Sequence, residues 1–306
     1  MKYRILGSTG MRVSVVGVGA WQFGGEWGHD YTEAEVDAVL GAARECGINL
    51  LDTAECYGDH LSERLCGARL ARERDHWIVA TKFGHRFHAF MNRTEHWTAA
   101  EVLQSLDESL RALRTDHVDL LQFHSGNNAV FDNDELWAML NRQVEAGKVR
   151  ALGISINKKD GPSQVDQATR VGARVIQVIY NRLDRDPEHN VFPSCQRQNL
   201  GVLARVPLAS GFLSGKYRPG TRFTGNDFRK TMDAADVDAK LRAVEDIART
   251  EVPPGVDMAT WALAWGLQHP AVTAVIPGCK SPEQVRANAA AAALDLVRDD
   301  HPMAVR

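Results

Sequence analysis

Short apolar runs recur along the chain and alternate with segments in which apolar residues repeat at helical spacing. Runs that are apolar throughout, instead of alternating with polar residues, are typical of strands buried on both faces of a parallel sheet. Such a sheet is covered by helices, and the intervening segments predict them. The eight runs lie at residues 15–21, 49–54, 77–83, 118–124, 150–155, 175–180, 201–208 and 273–278.

Helix starts and ends are marked in several intervening segments. Thr32 and Glu35 have the spacing of a capping box, in which two side chains satisfy backbone N–H groups at a helix start. Thr98 and Glu101 repeat that spacing. Each pair therefore predicts a helix that begins directly after the threonine.

Two further helices are predicted to end at glycines, which adopt the left-handed conformation after a helix without strain. Asn133 is a favourable N-cap for a helix that ends at Gly147. Residues 163–172 form a shorter amphipathic segment with Gly172 at its end.

Eight strand–helix alternations predict a (β/α)8 TIM barrel, preceded by a short N-terminal β-hairpin around residues 3–6 and 12–13. A doubly wound open sheet is the alternative, but the glycines of 17–25 are out of register for the dinucleotide fingerprint G-x-G-x-x-G. No linker divides residues 1–306, so we expect a single domain. The irregular stretch 209–235 has the length of a functional loop.

Composition narrows the class of protein. The 306 residues are 44% hydrophobic and 25% charged, as in ordinary globular proteins. The formal net charge of −3 argues against a nucleic-acid partner, and no apolar run approaches the roughly 20 residues of a membrane helix. The chain start lacks a signal-peptide core, and the five cysteines match no metal-site spacing. We therefore expect a cytoplasmic protein with reduced thiols and no metal.

Ionisable side chains stand at the ends of three consecutive predicted strands. Asp52 ends the second strand and Tyr57 follows it, Lys82 ends the third strand, and His124 ends the fourth. Each alone is more often a capping or packing residue. Because functional groups of such barrels lie at the carboxyl ends of strands, we expect these four side chains to share one site.

The four residue types suit proton transfer to an oxygen. We expect Lys82 to lower the pKa of the Tyr57 phenol, and Asp52 to keep the buried Lys82 charged. His124 could orient a substrate oxygen by a hydrogen bond. The set contains neither an activated nucleophile nor a metal site, so a cofactor would supply the bond-forming reagent. Hydride from a nicotinamide is the natural partner for protonation of a carbonyl oxygen.

Three motifs, "DTAECYG" (52–58), "ATKFG" (80–84) and "LLQFHS" (120–125), resemble those of the aldo-keto reductase family. The resemblance extends over nearly the whole chain. It implies a (β/α)8 barrel that reduces aldehydes or ketones, typically with NADPH. It also implies that Tyr57 is the general acid, assisted by Asp52, Lys82 and His124.

The resemblance implies cofactor contacts as well. Ser155 and Gln177 match residues that bind the nicotinamide carboxamide, and Asn157 lies one position later than the usual asparagine. Arg205 replaces an aromatic residue that stacks on the nicotinamide. Its guanidinium could stack in the same way or contact an acidic substrate. The residues that match the pyrophosphate side are Pro207, Leu208, Ser210, Leu213, Gly215 and Lys216. The last motif that resembles the family, "VIPGCKSPEQVRAN" (275–288), contributes Ile276, Gly278, Lys280, Gln284 and Asn288.

The last motif also has a physical interpretation of its own. Ser281 is a good N-cap, and Gln284 has the position that completes a capping box. Helix N-termini bind anions, and Lys280 adds a charge that suits the 2′-phosphate of NADP. Some relatives carry an arginine in place of Gln284, so NAD stays possible.

Substrate contacts are expected from an aromatic and basic set: Trp21, Trp27, Phe83 and Arg86. Aromatic side chains suit the walls of a pocket that binds a carbonyl compound. The chain has no long C-terminal extension of the kind that narrows the pocket in many relatives, so we expect an open site.

The leading hypothesis is NADPH-dependent reduction of an aldehyde, ketone or sugar carbonyl, with Tyr57 as proton donor. Three alternatives are an NAD(P)-linked sugar or alcohol dehydrogenase, a nicotinamide-sensing binding protein, and a Schiff-base aldolase that uses Lys82. The aldolase is the weakest, because Asp52 would keep that lysine protonated. The sequence fixes neither the physiological substrate nor the oligomeric state.

Overall fold

Eight parallel strands form the central sheet of the structure, a computed structural model that describes residues 1–305. Parallel bridges from Val16 to Val275 and from Gly19 to Gly278 join its first and last strands, so the sheet closes into the expected barrel. The eight barrel strands are β3 Val18–Gly19, β4 Leu50–Asp52, β5 Ile78–Phe83, β8 Val118–His124, β9 Val149–Ser155, β10 Ala173–Ile179, β11 Gly201–Arg205 and β12 Ala274–Ile276. Two separate hairpins are formed by β1 Tyr3–Ile5 with β2 Arg12–Ser14, and by β6 His85–Ala89 with β7 Asn92–Glu95.

The predicted N-terminal hairpin, β1 paired with β2, is present and antiparallel. Leu6 and Val13 are fully buried in one apolar cluster with Leu50 and Leu120 from the barrel strands. The hairpin therefore closes the end of the barrel at which the parallel strands begin. Only the other end, where these strands finish, is left open for a binding site.

Helices follow most barrel strands, and both predicted capping boxes are present. The side chains of Thr32 and Glu35, and of Thr98 and Glu101, exchange hydrogen bonds with backbone N–H groups. The helices are α1 Glu33–Glu45, α2 Leu61–Glu73, α3 Ala99–Leu113, α4 Asn128–Phe131, α5 Asp134–Glu145, α6 Gly161–Asp166, α7 Pro187–Asn190, α8 Phe192–Arg197, α9 Ala234–Thr250, α10 Met258–Leu267 and α11 Pro282–Ala290.

The predictions for the two glycine-ended helices differ in outcome. Asn133 caps α5 as expected, and Gly147 takes a left-handed φ of 79° after it. The predicted helix 163–172 is wrong in its bounds, because α6 begins at Gly161 and ends at Asp166. Turns occupy the residues from there to Gly172, whose φ is 84°.

An antiparallel hairpin of β6 and β7 rises from the open end of the barrel and was not expected from the sequence. It follows β5 directly and forms a wall beside the barrel mouth. The stretch 209–235 is largely irregular, as predicted, with short 3₁₀ turns at Ala209–Ser214 and Phe228–Thr231 before α9 begins. No helix within residues 1–305 is long and apolar enough to cross a membrane.

Candidate active site

Lys82 is the centre of the predicted catalytic set and is only 1% exposed. Its Nζ donates to Asp52 Oδ1 at 2.7 Å, to the backbone oxygen of Thr53 at 2.7 Å and to Tyr57 Oη at 3.3 Å. These three bonds use all three N–H donors of the ammonium. Because Tyr57 Oη accepts a bond from Lys82, its own proton is available for a group in the space beyond.

Burial and neighbouring groups determine the protonation states of Lys82 and Tyr57. Burial lowers the pKa of Lys82, but Asp52 and Tyr57 more than offset that effect, so its pKa lies above the ordinary value. Burial raises the pKa of Tyr57, and the attraction of Lys82 opposes that rise only in part. The expected downward pull of Lys82 is present, but the net pKa of Tyr57 is raised. The phenol is therefore protonated at neutral pH, as an acid must be.

Two amides hold the second oxygen of Asp52. Gln177 Nε2 donates to Asp52 Oδ2 at 2.6 Å, and Gln122 Nε2 donates to the same oxygen at 3.1 Å. Gln177 Nε2 also donates to Gln122 Oε1 at 3.1 Å, and Ser155 Oγ donates to Gln177 Oε1 at 3.3 Å. This network fixes the Gln177 amide, because both of its N–H donors are used inside the barrel and its oxygen is directed by Ser155.

His124 lies beside Tyr57, with the two ring centroids 6.3 Å apart. Burial and the charge of Lys82 lower the pKa of His124 well below its ordinary value, so the imidazole is neutral at neutral pH. Its Nδ1 lies 3.8 Å from Cys56 Sγ. His85 Nε2 and the backbone oxygen of His124 are 2.7 Å apart. These contacts hold the ring at the edge of the cleft.

A cleft of about 710 Å³ opens above this network, at the carboxyl ends of the barrel strands. Three polar atoms of its lining residues, Gln22 Oε1, Trp27 Nε1 and Arg205 Nε, are buried without a hydrogen-bond partner within residues 1–305. Buried polar atoms are normally paired, so orphaned atoms around one cleft indicate that it receives a polar ligand. Asp52, Tyr57, His124 and Gln177 also line this cleft.

Residues 15–304 match the model of the Aldo/keto reductase family. The chain belongs to that family. It is 32% identical to the uncharacterized oxidoreductase Rv2298 of Mycobacterium tuberculosis, over 97% of this chain and 89% of the relative. It is 29% identical to the NADH-specific methylglyoxal reductase of Escherichia coli, over 97% of this chain and 95% of that one.

Solved aldo-keto reductase structures share the fold. The holo form of AKR11C1 from Bacillus halodurans superposes with a TM-score of 0.80 at 29% identity, covering 96% of this chain and 91% of its own. The glycerol dehydrogenase AKR11B4 of Gluconobacter oxydans gives 0.81 at 28% identity, covering 98% and 96%. As an aldo-keto reductase, the protein is an oxidoreductase of the kind that reduces carbonyl groups with a nicotinamide cofactor.

The residues around the cleft fit such a cofactor in an aldo-keto reductase. The volume lies within the usual range for cofactor sites. Arg205 Nη2 donates to the backbone oxygen of Ile156 at 3.1 Å, while its Nε is orphaned and no carboxylate within the described chain pairs with it. Val206, the next residue, has a φ of 54°, which is strained for a β-branched side chain. Strain of this kind is typical of ligand sites.

The far end of the cleft is cationic. Lys280 Nζ donates to the backbone oxygen of Trp27 at 3.0 Å. Burial, Arg229 and Lys216 lower the pKa of Lys280, against an opposing effect of Asp227. A bound anion beside Lys280 would offset the repulsion that Lys280 experiences from Arg229 and Lys216. The helix α11 begins beside it with Ser281 as N-cap, as predicted, although the capping box is not formed.

The capping box at the start of α11 is not formed because the Gln284 side chain points to a different N–H group. Gln284 Oε1 accepts a hydrogen bond from the backbone N–H of Lys280 at 2.9 Å, and not from that of Ser281. Gln284 therefore orders the residue before the helix. Gly278, earlier in the same motif, leaves room for the Gln22 amide, since a Cβ there would lie 1.4 Å from Gln22 Nε2 unless that side chain moved.

Most residues expected to contact the cofactor line this cleft or support its floor. Ser155 lies beneath Gln177 and is fully buried. The side chain of Leu213 is buried among apolar residues near α9 and α10, and Gly215 provides a left-handed turn with φ of 73°. Residues that line the cleft are Gln177, Arg205, Pro207, Leu208, Ser210, Lys216, Ile276, Gly278, Lys280, Gln284 and Asn288.

Asn157 lies away from the cleft, in a local turn. Its Nδ2 donates to the backbone oxygens of Ser125 and Gly126, and its Oδ1 accepts from the N–H groups of Lys159 and Asp160. This use of both ends of the amide gives no geometric support to the expected carboxamide contact. That role stays a prediction from the resemblance alone.

The four expected substrate residues divide into two pairs. Trp21 and Trp27 line the cleft with their ring centroids 5.3 Å apart. Phe83 is 1% exposed and packs against core aromatics, because its side chain points from β5 toward the helices. Arg86 points to the outer side of the hairpin, where it lies 3.6 Å from Glu108. A substrate contact by Phe83 or Arg86 therefore has no support from the geometry.

Several residues of the site were not expected. Gln122 is not among the expected residues, although a lone amide in an apolar strand requires a partner, which is a signal that points to it. The hairpin of β6 and β7 adds His85, Met91, Arg93 and Glu95 to the cleft wall. No motif in this segment marked them, because the hairpin itself was not predicted.

The low pKa of His124 predicts a pH dependence of stability. An unfolded histidine has a pKa of about 6.5, so below that pH the unfolded chain binds a proton that the folded chain does not. The free energy of unfolding should therefore fall as pH drops below about 6.5, by at most about 1.4 kcal/mol per pH unit from this group. Denaturant unfolding of wild type and His124→Asn at several pH values measures the difference.

The variant should lose stability less steeply than wild type on acidification. A slope remains in both proteins because other groups contribute, such as His301, whose pKa burial lowers to about 4. Identical slopes for wild type and His124→Asn would contradict a neutral, partly buried imidazole at position 124.

Proposed function

We propose that this protein reduces an aldehyde, ketone or sugar carbonyl with NADPH, and that Tyr57 protonates the carbonyl oxygen. One observation supports this proposal most strongly: the Lys82 ammonium donates hydrogen bonds to both Asp52 and Tyr57 inside the barrel. That arrangement is suited to placing negative charge on the phenol oxygen for the duration of a proton transfer. A bound nicotinamide would supply the hydride that no side chain provides.

The side chains then have separate roles. Tyr57 donates its proton to the carbonyl oxygen, and Lys82 stabilises the phenolate that remains. Asp52 keeps Lys82 charged in a site where burial alone would lower the pKa of the lysine. His124, neutral and at the cleft edge, donates a hydrogen bond that orients the carbonyl.

The binding residues follow the length of the cleft. Gln177 offers its amide oxygen to a carboxamide, since its nitrogen is held by Asp52 and Gln122. Arg205 presents a flat guanidinium at the end of β11, suited to stacking on a nicotinamide ring. Lys216 and Lys280 both line the cleft, and their positive charges favour the phosphates.

The Tyr57→Phe variant tests the proposed acid. It removes one hydroxyl and keeps the ring, so cofactor affinity should change by no more than about twofold. Turnover should fall by at least about a hundredfold, which is the lower end of general acid–base contributions. NADPH absorbance with a panel of aldehydes and sugars measures the turnover, and calorimetry measures the cofactor affinity.

Tyr3→Phe is the matched control, because Tyr3 lies in the N-terminal hairpin and its hydroxyl donates to the Gly47 oxygen at 2.8 Å. It should turn over as the wild type does. Near-normal turnover by Tyr57→Phe would refute the assignment of Tyr57.

We propose a preference for NADPH over NADH because Lys280 lies in a cationic pocket near α11. Lys280→Met should weaken NADPH binding about tenfold, the size of one hydrogen bond to a charged group, and leave NADH binding within about twofold. Titration calorimetry with both cofactors gives the two ratios. Lys240→Met is the control, since Lys240 is exposed on α9. Equal weakening of both cofactors by Lys280→Met would place this lysine away from the 2′-phosphate.

A second candidate is the reverse reaction, the oxidation of a sugar or polyol with NAD(P). It is favoured by the similarity to the G. oxydans glycerol dehydrogenase across 98% of this chain. The same four residues serve both directions, with Tyr57 then accepting the alcohol proton. Relative rates with matched carbonyl–alcohol pairs at one pH decide between them.

A further inference from the structure

The loop that follows β3 and the hairpin of β6 and β7 meet at a buried carboxylate, Glu26, which is 1% exposed. Its Oε2 accepts a hydrogen bond from Trp21 Nε1 at 2.9 Å, and its Oε1 accepts one from the backbone N–H of Met91 at 2.9 Å. Its Oε2 also forms an ion pair with Arg93 Nη2. Three N–H donors from two separate segments therefore converge on one carboxylate.

Arg93 and Glu26 differ in their access to the cleft. Arg93 lines the cleft wall, with 19% of its side chain exposed, whereas Glu26 lies behind that wall. A guanidinium is a strong partner for carboxylates because its N–H groups match the two oxygens. A cleft-lining arginine without a partner would therefore attract substrates that carry a carboxylate.

We propose that Glu26 is a specificity-determining residue: by pairing with Arg93 behind the wall, it cancels the attraction of that cation for carboxylate-bearing carbonyl compounds. The cleft then favours uncharged substrates over anionic ones of the same shape. This inference rests on the proposed carbonyl reduction, and it concerns which carbonyl compounds are used.

Other charged groups near the wall do not replace Glu26. Glu95 also lines the cleft, but it is exposed and its Oε2 accepts from Trp97 Nε1 at 2.8 Å. An exposed charge is screened by salt and acts weakly. Arg205 lies on β11, across the barrel from the hairpin and on the side assigned to the nicotinamide. Glu26 is the carboxylate that pairs directly with Arg93.

The Glu26→Gln variant separates charge from shape, because glutamine has nearly the same volume and keeps one acceptor oxygen. The probes are 4-carboxybenzaldehyde and 4-formylbenzamide, which differ only in a carboxylate against an amide. The ratio of kcat/KM for the acid to that for the amide should rise about tenfold in the variant, the effect of one charged hydrogen bond. The rise in this ratio should come from a lower KM for the acid, and it should be smaller at high salt. Because the result is a ratio, it cancels any general loss from a displaced Trp21.

Two further variants check the assignment. Glu26→Asp keeps the charge and should keep the wild-type ratio. Glu26→Gln combined with Arg93→Gln removes the freed cation and should return the ratio to within about twofold of wild type, since the coupling belongs to that pair. A ratio that stays within twofold of wild type in Glu26→Gln, or that rises equally in the double variant, overturns the proposal.

The role of Glu26 can also be tested through Arg93 alone and through binding without turnover. If Glu26→Gln does not fold, Arg93→Gln alone should shift the ratio the other way, against the acid, and an unchanged ratio there overturns the proposal. Calorimetric binding of both probes needs no turnover. If wild type reduces neither probe with either nicotinamide, the proposed function fails, while the acid-to-amide affinity ratio in wild type and Glu26→Gln still decides the role of Glu26.

Discussion

A buried ammonium needs a fixed partner, and that constraint shapes the open end of this barrel. Lys82 has three hydrogen-bond acceptors within reach, two of which come from β4 and the residue after it. Without Asp52, burial would favour the neutral amine, and the phenol of Tyr57 would lose the charge that stabilises its phenolate. The two glutamines on Asp52 extend the same constraint to the cofactor side, since one of them is the residue expected to meet the nicotinamide. In the proposed function, proton transfer and cofactor recognition therefore share one hydrogen-bonded network.

The barrel and the convergence of the four candidate side chains could be predicted from the sequence, for a geometric reason. Parallel strands that finish at one end of a barrel bring their last residues together, so Asp52, Lys82 and His124 could be placed in one site from strand position alone. Capping boxes at Thr32 and Thr98 are equally local and were predicted correctly. Features that depend on a few neighbouring residues, or on a regular topology, can be predicted in this way.

The remaining features depend on contacts between distant segments. Met91 turns the hairpin of β6 and β7 with a φ of 55°, a conformation that favours Gly or Asn and that its identity does not signal. The wall residues carried by that hairpin could not be assigned without it. Phe83 is an exception to this rule: it follows Lys82 in the strand and so faces the opposite side, which a strict alternation of side chains predicts from the sequence alone. The net pKa of Tyr57 depends on how far the phenol is removed from water, which the sequence does not give.

The central claim is that Asp52 keeps the buried Lys82 protonated beside Tyr57. Nitrogen-15 NMR of Lys82 Nζ, in wild type and in Asp52→Asn at neutral pH, measures this protonation directly, with Lys82→Met used to assign the signal. We expect an ammonium signal in wild type and a neutral amine in Asp52→Asn. An amine in wild type, or an ammonium that is unchanged in the variant, would contradict it.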